Sequence, residues 1–162
     1  MVQINKDQVW EQIDKQLFAV LGVVTKDGEA RTVGIVYVEY EGKLYITSQK
    51  DAWKVKHIAQ NPHVSLTVPI HKRIPFLPWI KIPAATITFS GEAIILNTGE
   101  VSPEVLSKLT RGMELSEEDK ASMGIIEVTP VGNFVTYGVG VSLMDMRDPH
   151  KARGRVAING VS

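Results

Sequence analysis

The sequence predicts a mainly β protein, a small antiparallel barrel of six to seven strands with short helices at the connections. Three observations predict it. Short runs rich in β-branched residues recur along most of the chain. The first of them are separated by tight-turn signals, Lys26-Asp27-Gly28 and Glu41-Gly42, as hairpins require. Long helical patterns alternating with strands, which a parallel sheet needs, are absent. The 162 residues are expected to form a single domain over 1–162. A chain of that size buries about 70% of its unfolded surface, so a full core is available without covalent staples.

The elements follow in order. Asn5 with Gln8 forms the pattern of a capping box, and Ile4 with Val9 forms a hydrophobic staple across it. Val9, Ile13 and Leu17 then recur every four residues as one apolar helix face. Residues 17–25, 31–39 and 43–48 read as three strands in hairpin succession. A second helix fits residues 51–60, with Asp51 as its cap and Asn61-Pro62 as its stop. Residues 63–68 form a short strand. Residues 69–83 hold Pro69, Pro75, Pro78 and Pro83 together with Phe76 and Trp79, a density that a central strand excludes. This stretch reads as an ordered, proline-rich flap. Residues 84–96 return to strand character. Ser102-Pro103 starts a helix to about Leu109, and Ser116 with Asp119 starts another to about Ser122. Residues 125–131 and 133–143 read as the last two strands, and 145–162 as a polar C-terminal tail.

Composition removes several function classes. There is no cysteine, which excludes disulfides, thiolate nucleophiles, thiolate-bound zinc and cysteine-held iron–sulfur clusters. Lys plus Arg and Asp plus Glu both total 18, so net charge draws the chain to neither nucleic acid nor an anionic membrane. No apolar run approaches the roughly eighteen residues of a membrane span. The opening Met1-Val2-Gln3-Ile4-Asn5-Lys6-Asp7 is too polar for a signal peptide, and a cytoplasmic protein is expected.

Gly138-Val139-Gly140 has the start of a dinucleotide fingerprint, but Leu143 stands at its third glycine and its context is strand. Strand-packing glycines suffice to explain it. His57, His63, His71 and His150 show no metal-ligand spacing, although one histidine is enough for an axial haem ligand. The helix at 51–60 carries Lys50, Lys54 and Lys56 around its first turns, directly after Thr47-Ser48. Lysines favour the opposite helix end, since the N-terminus is already partly positive. An anion at that end, held by helix amides, hydroxyls and an ammonium, explains the placement. A solvated basic face explains it equally well.

Three blocks together resemble the pyridoxamine 5'-phosphate oxidase-like FMN-binding split β-barrels. The first is Phe18-Ala19-Val20-Leu21-Gly22-Val23-Val24-Thr25, then Asp27-Gly28 and Arg31-Thr32-Val33-Gly34-Ile35-Val36. The second is Leu44-Tyr45-Ile46-Thr47-Ser48. The third is Lys54-Val55-Lys56-His57-Ile58-Ala59-Gln60-Asn61-Pro62-His63-Val64-Ser65. Their order and spacing match over residues 17–96.

The resemblance implies a homodimer binding FMN between its subunits and acting as an oxidoreductase on a small substrate. It sets Arg31, Thr32, Val33 and Gly34 beside the flavin, with Arg31 reaching the phosphate. Ile46, Thr47 and Ser48 would contact the ring and ribityl chain. Trp53 and Lys54 fall where many members carry a basic pair that grips the phosphate. Here the first of the pair is tryptophan, and Lys50 is a possible replacement in a loop one residue longer. Thr86 takes the place of a polar residue near the ring. Members of the fold also use a deazaflavin, bind haem, or bind flavin without turnover, and these stand as alternatives. Vitamin B6 oxidases are longer and end in a substrate segment containing tryptophan and arginine; here the last tryptophan is Trp79, and the tail instead reads Met144-Asp145-Met146-Arg147-Asp148-Pro149-His150-Lys151-Ala152-Arg153-Gly154-Arg155-Val156.

Overall fold

The computed structural model describes residues 4–71 and 83–158. The proline-rich flap expected at 69–83 therefore lies mostly outside the described residues.

Helix α1 (Lys6–Asp14) starts with the expected capping box: Asn5 Oδ1 accepts from Gln8 N at 2.8 Å, and Gln8 Oε1 accepts from Asn5 N at 3.0 Å. Val9 and Ile13 are fully buried, but the helix ends before Leu17, which is exposed. Strand β1 (Phe18–Val24) turns at Gly28, whose φ of 81° favours glycine, into β2 (Ala30–Val36). The chain then passes through Tyr37 into β3 (Val38–Tyr40) and, by a turn with φ of 50° at Glu41 and 76° at Gly42, into β4 (Lys43–Gln49). Helix α2 (Trp53–Gln60), β5 (His63–Ile70) and β6 (Ala85–Leu96) follow. Two capped helices come next, α3 (Pro103–Thr110) on Ser102 and α4 (Glu117–Ser122) on Ser116. The chain ends with β7 (Met123–Tyr137), α5 (Pro149–Ala152) and β8 (Arg153–Ala157).

All strand pairs are antiparallel, in the order β2-β1-β5-β6-β7-β4-β3, with β8 added to β7. The expected single strand over 31–39 is two strands, β2 and β3. They lie at opposite ends of that order yet are joined by one residue. A flat sheet cannot satisfy both facts, so the sheet curls until its edges meet at Tyr37. This is the split barrel. Its core includes Leu21, Leu44, Ile46, Leu66, Ile87 and Phe134, each at most 1% exposed. Burial of each contributes about 1.5–3 kcal/mol.

Other expectations are corrected. Pro69 lies within β5, paired with Thr86, because β1 stops pairing at Thr67 and leaves that side of the strand open. The expected strands 125–131 and 133–143 are one strand, β7. Its register on β6 moves from Thr88↔Val135 to Ser90↔Val131, a bulge with Gly132 at φ 76°. The first part of β7 then pairs with β4 and the last with β8. Gly138 and Gly140, at φ 71° and 73°, are turn glycines rather than strand-packing ones. The expected polar tail at 145–162 carries α5 and β8, because Met146, Ala152 and Ile158 are buried. Among the described residues no helix is long and apolar enough to cross a membrane.

Candidate functional site

Strand β4 supplies the first part of the site. Alternation turns Ile46 into the core at 1% exposure, so of this residue only the backbone can meet a ligand. Thr47 faces outward. It lines two clefts at once, one of about 370 Å³ with Ser48, Gln49, Leu115 and Met123, and one of about 300 Å³ with Leu17, Val36, Tyr37 and Leu109. Leu115 and Met123 were not expected from the sequence. The pairing Thr47↔Ile125 and Gln49↔Met123 brings Met123 there, and no local motif records that pairing.

The start of α2 supplies the second part. Asp51 was expected to cap this helix and does not. Ala52 N–H donates to Gln49 O at 3.1 Å and Lys50 N–H to Ser122 O at 3.0 Å, which holds Asp51 in a turn one residue too early. The N-cap is Ala52, which has no side chain able to cap. Val55 and Lys56 amides reach Ala52 O, while those of Trp53 and Lys54 have no acceptor among the described residues. The first turn holds no acid. Lys54 is half-buried, and no ion pair among the described residues engages it. The first turn thus carries free amides, a positive helix end and an ammonium with no ion pair, groups that stabilise an anion. Trp53 is exposed and meets His57 edge-on at 5.8 Å; the buried His57 Nδ1 has no hydrogen-bond partner.

Lys50 is oriented elsewhere. Its stem packs beside Gly124, and its charge acts on Glu100. Asn97 donates to Glu100 Oε2 from its backbone at 2.7 Å and its side chain at 2.6 Å. Those bonds, with Lys50, hold the Glu100 carboxyl below the usual carboxylate range.

Strand β2 supplies the third part. Among the described residues its only partner is β1, and it approaches β4 without pairing to it. Beyond Tyr45, β4 is likewise free of β3. Two open strand edges thus flank the split, one carrying Arg31, Thr32, Val33 and Gly34 and the other Ile46, Thr47 and Ser48. Arg31 pairs with Glu29 at 2.8 Å, but both side chains are mostly exposed, and such a pair is worth about 0–1 kcal/mol. A Cβ at Gly34 would sit 2.8 Å from Phe18 Cε2, so a side chain there would displace the exposed Phe18 ring. Thr86 is not brought to the others within one chain. It pairs with Tyr137 at the end of β7, whereas Thr47 pairs with Ile125 near its start. Among the described residues no group of three His, Asp or Glu side chains is placed to hold a metal ion.

No curated protein matches the chain. Solved structures match its fold. A candidate pyridoxamine 5'-phosphate oxidase from Listeria innocua is 18% identical with a TM-score of 0.59, over 76% of this chain and 91% of that one. General Stress Protein 26 from Bacillus anthracis is 19% identical with a TM-score of 0.59, over 82% and 91%. An FAD-binding protein from Mesorhizobium loti is 18% identical with a TM-score of 0.58, over 78% and 90%. The family described as Pyridoxamine 5'-phosphate oxidase matches residues 6–135, a stretch that includes both open edges, the start of α2 and Thr86. With the curled sheet in place and most of the chain matched, this protein belongs to the pyridoxamine 5'-phosphate oxidase family.

Proposed function

We propose that the chain binds FMN as a homodimer and works as an oxidoreductase on a small substrate. The observation that carries this reading is the uncapped, acid-free start of α2, with Lys54 uncommitted beside it and Thr47-Ser48 at the adjoining strand end. A near-dianionic phosphate suits those groups. In this reading Lys54 and the Trp53 and Lys54 amides hold the phosphate, with Arg31 as a further cation. The open backbone edges at Val33-Gly34 and Ile46-Thr47 meet the polar rim of the ring, and the Thr47 and Ser48 hydroxyls meet the ribityl chain. Trp53 supplies an apolar wall where a second cation would otherwise stand. Bound FMN supplies hydride and electron transfer, and the chain contributes binding, orientation and electrostatics. Thr86 joins such a site only from a second copy, which is consistent with a dimer.

The test is the absorption spectrum of the purified protein followed by titration of the apoprotein with FMN. A flavin spectrum and saturable FMN binding are expected. A Soret band or a deazaflavin spectrum would replace FMN by that cofactor. Anaerobic addition of reduced nicotinamide cofactor should bleach the flavin, and a flavin that no donor reduces would make the protein a binder without turnover.

A further inference from the structure

A cavity of about 510 Å³ opens between α3 and α4 and takes no part in the flavin reading. Pro103, Leu106 and Thr110 line it from one face of α3, and Met113 and Leu115 from the loop that follows. That loop is fixed. Arg111 and Gly112 are both left-handed, at φ 54° and 74°, and Gly112 N–H donates to Ser107 O at 2.9 Å. Arg111 is not glycine, so its surroundings sustain that backbone. The loop holds Met113 69% exposed on the cavity, a polarisable apolar side chain left open to a ligand. Leu115 also lines the cleft of about 370 Å³ on β4, so cavity and cleft share a wall. In the cleft the flavin reading uses Thr47 and Ser48 and leaves Gln49, Asp119 and Ser122. Asp119 Oδ2 accepts from the Ser116 hydroxyl at 2.6 Å, whereas no bond among the described residues engages its Oδ1 or the Gln49 side chain.

We propose that cleft and cavity take one elongated small molecule, with a hydroxylated head in the cleft and an apolar body passing Leu115 into the cavity. Its part as substrate rests on the flavin reading above. Charge decides against an anionic head. Among the described residues no Lys, Arg or His lines the cleft, and Asp119 does. Lys120, on the cavity, is already paired with Glu117 at 2.7 Å, and Glu114 acts on it as well. An anion would meet like charge there. Hydrogen bonding decides between a hydroxyl and an ammonium. The Ser122 hydroxyl and the Gln49 amide both donate and accept, whereas Asp119 only accepts. An ammonium donates alone and leaves the amide N–H unpaired beside it, and such a group is costly once covered. Hydroxyls on neighbouring carbons serve all three side chains. The apolar lining of the cavity suits an alkyl or aryl body, and its volume falls within the roughly 300–1,000 Å³ of small-molecule sites. Continuity supplies the link to the flavin. Thr47 lines this cleft and the one bordered by Val36 and Tyr37, so the head comes to rest beside the open edge of β4.

Calorimetric titration of the purified protein with hexyl β-D-glucoside, methyl β-D-glucoside, hexanoate and hexylamine tests the proposal. The hexyl glucoside should bind about tenfold or more tighter than the methyl glucoside, because its added methylenes enter the cavity. It should also bind tighter than hexanoate and hexylamine. Ser107→Trp places an indole in the cavity from an exposed position of α3 and should bring the hexyl glucoside down to the affinity of the methyl glucoside. Asp119→Asn removes the charge in the cleft and should narrow the gap between hexyl glucoside and hexanoate. No binding of the hexyl glucoside overturns the proposal. Equal affinity of the two glucosides, or a hexyl glucoside indifferent to Ser107→Trp, overturns the seat of the body. Hexanoate or hexylamine binding as tightly as the hexyl glucoside overturns the head, and an unchanged gap in Asp119→Asn removes Asp119 from it. These titrations read binding without turnover. Protein that binds FMN and no glucoside overturns this inference alone, and protein that binds the glucoside and no FMN overturns the proposed function and the ligand's part as substrate.

Discussion

The Tyr37 hydroxyl donates to the backbone carbonyl of Ile13 across 2.6 Å, tying the point where the barrel edges meet to the end of α1. Tyr37 is 1% exposed, and burial raises its hydroxyl well above the usual phenol range. Its own amide donates to Leu17 O at 3.2 Å. One residue thus holds β2, β3 and the helix exit in register. Tyr37→Phe keeps the ring and leaves the Ile13 carbonyl without that donor. A loss of about 1–2 kcal/mol is expected, read as a lower urea midpoint with an unchanged m-value. An unchanged midpoint would mean that the barrel closes without this bond.

Lys54→Ala should weaken FMN binding about tenfold or more, since a charge-assisted contact to phosphate is worth about 1.5–3 kcal/mol. Riboflavin, which lacks the phosphate, should bind both proteins within about a factor of two. Equal losses for the two ligands would assign Lys54 to packing rather than to the phosphate.

Tyr45 couples stability to alkaline pH. Burial first, and then the Glu127 carboxylate paired across from it, push its hydroxyl from 10.0 up to about 12. The folded state therefore favours the neutral phenol. This stabilisation is fully present below pH 10.0 and is lost as pH rises toward about 12. Urea midpoints measured across that range should fall, and Tyr45→Phe should flatten the fall in part, because Tyr37 is raised in the same direction. An identical pH profile in the variant would contradict the assignment.

Truncation after Met144 removes the buried Met146, Ala152 and Ile158, and with them the bond from the Tyr137 hydroxyl to Met146 O at 2.6 Å. Burial of Met146 and Ile158 alone is worth about 3–6 kcal/mol. Loss of β8 also bares the last part of β7 as an open edge. A markedly lower melting temperature with concentration-dependent light scattering is expected. A truncated protein that melts like the full chain would return the segment to the status of a tail.

Local chemistry was enough for much of this molecule. Asn5 and Gln8, Ser102 and Pro103, and Ser116 mark helix starts because a cap depends on residues only three apart. Gly28 and Gly42 mark the turns because their positive φ angles suit glycine. The blocks around Arg31, Thr47 and Lys54 were legible for the same reason, each being a strand end or helix start written in consecutive residues. What required the tertiary structure was every choice between partners distant in sequence. Residues 31–39 read as one strand, yet the strand is divided at Tyr37 because curling places its halves on opposite edges of one sheet. Residues 145–158 look polar, yet they supply a strand because β7 has an unpaired stretch and the core has room for Met146 and Ile158. Thr86 and Thr47 are both candidate ligands in the sequence, and only the β6–β7–β4 register separates them within one chain. Asp51 has the right side chain for a cap, but the bonds of Lys50 and Ala52 to Ser122 and Gln49 set the helix start one residue beyond its reach. Propensity acts over a few residues, whereas register and closure are decided by the burial of many side chains together.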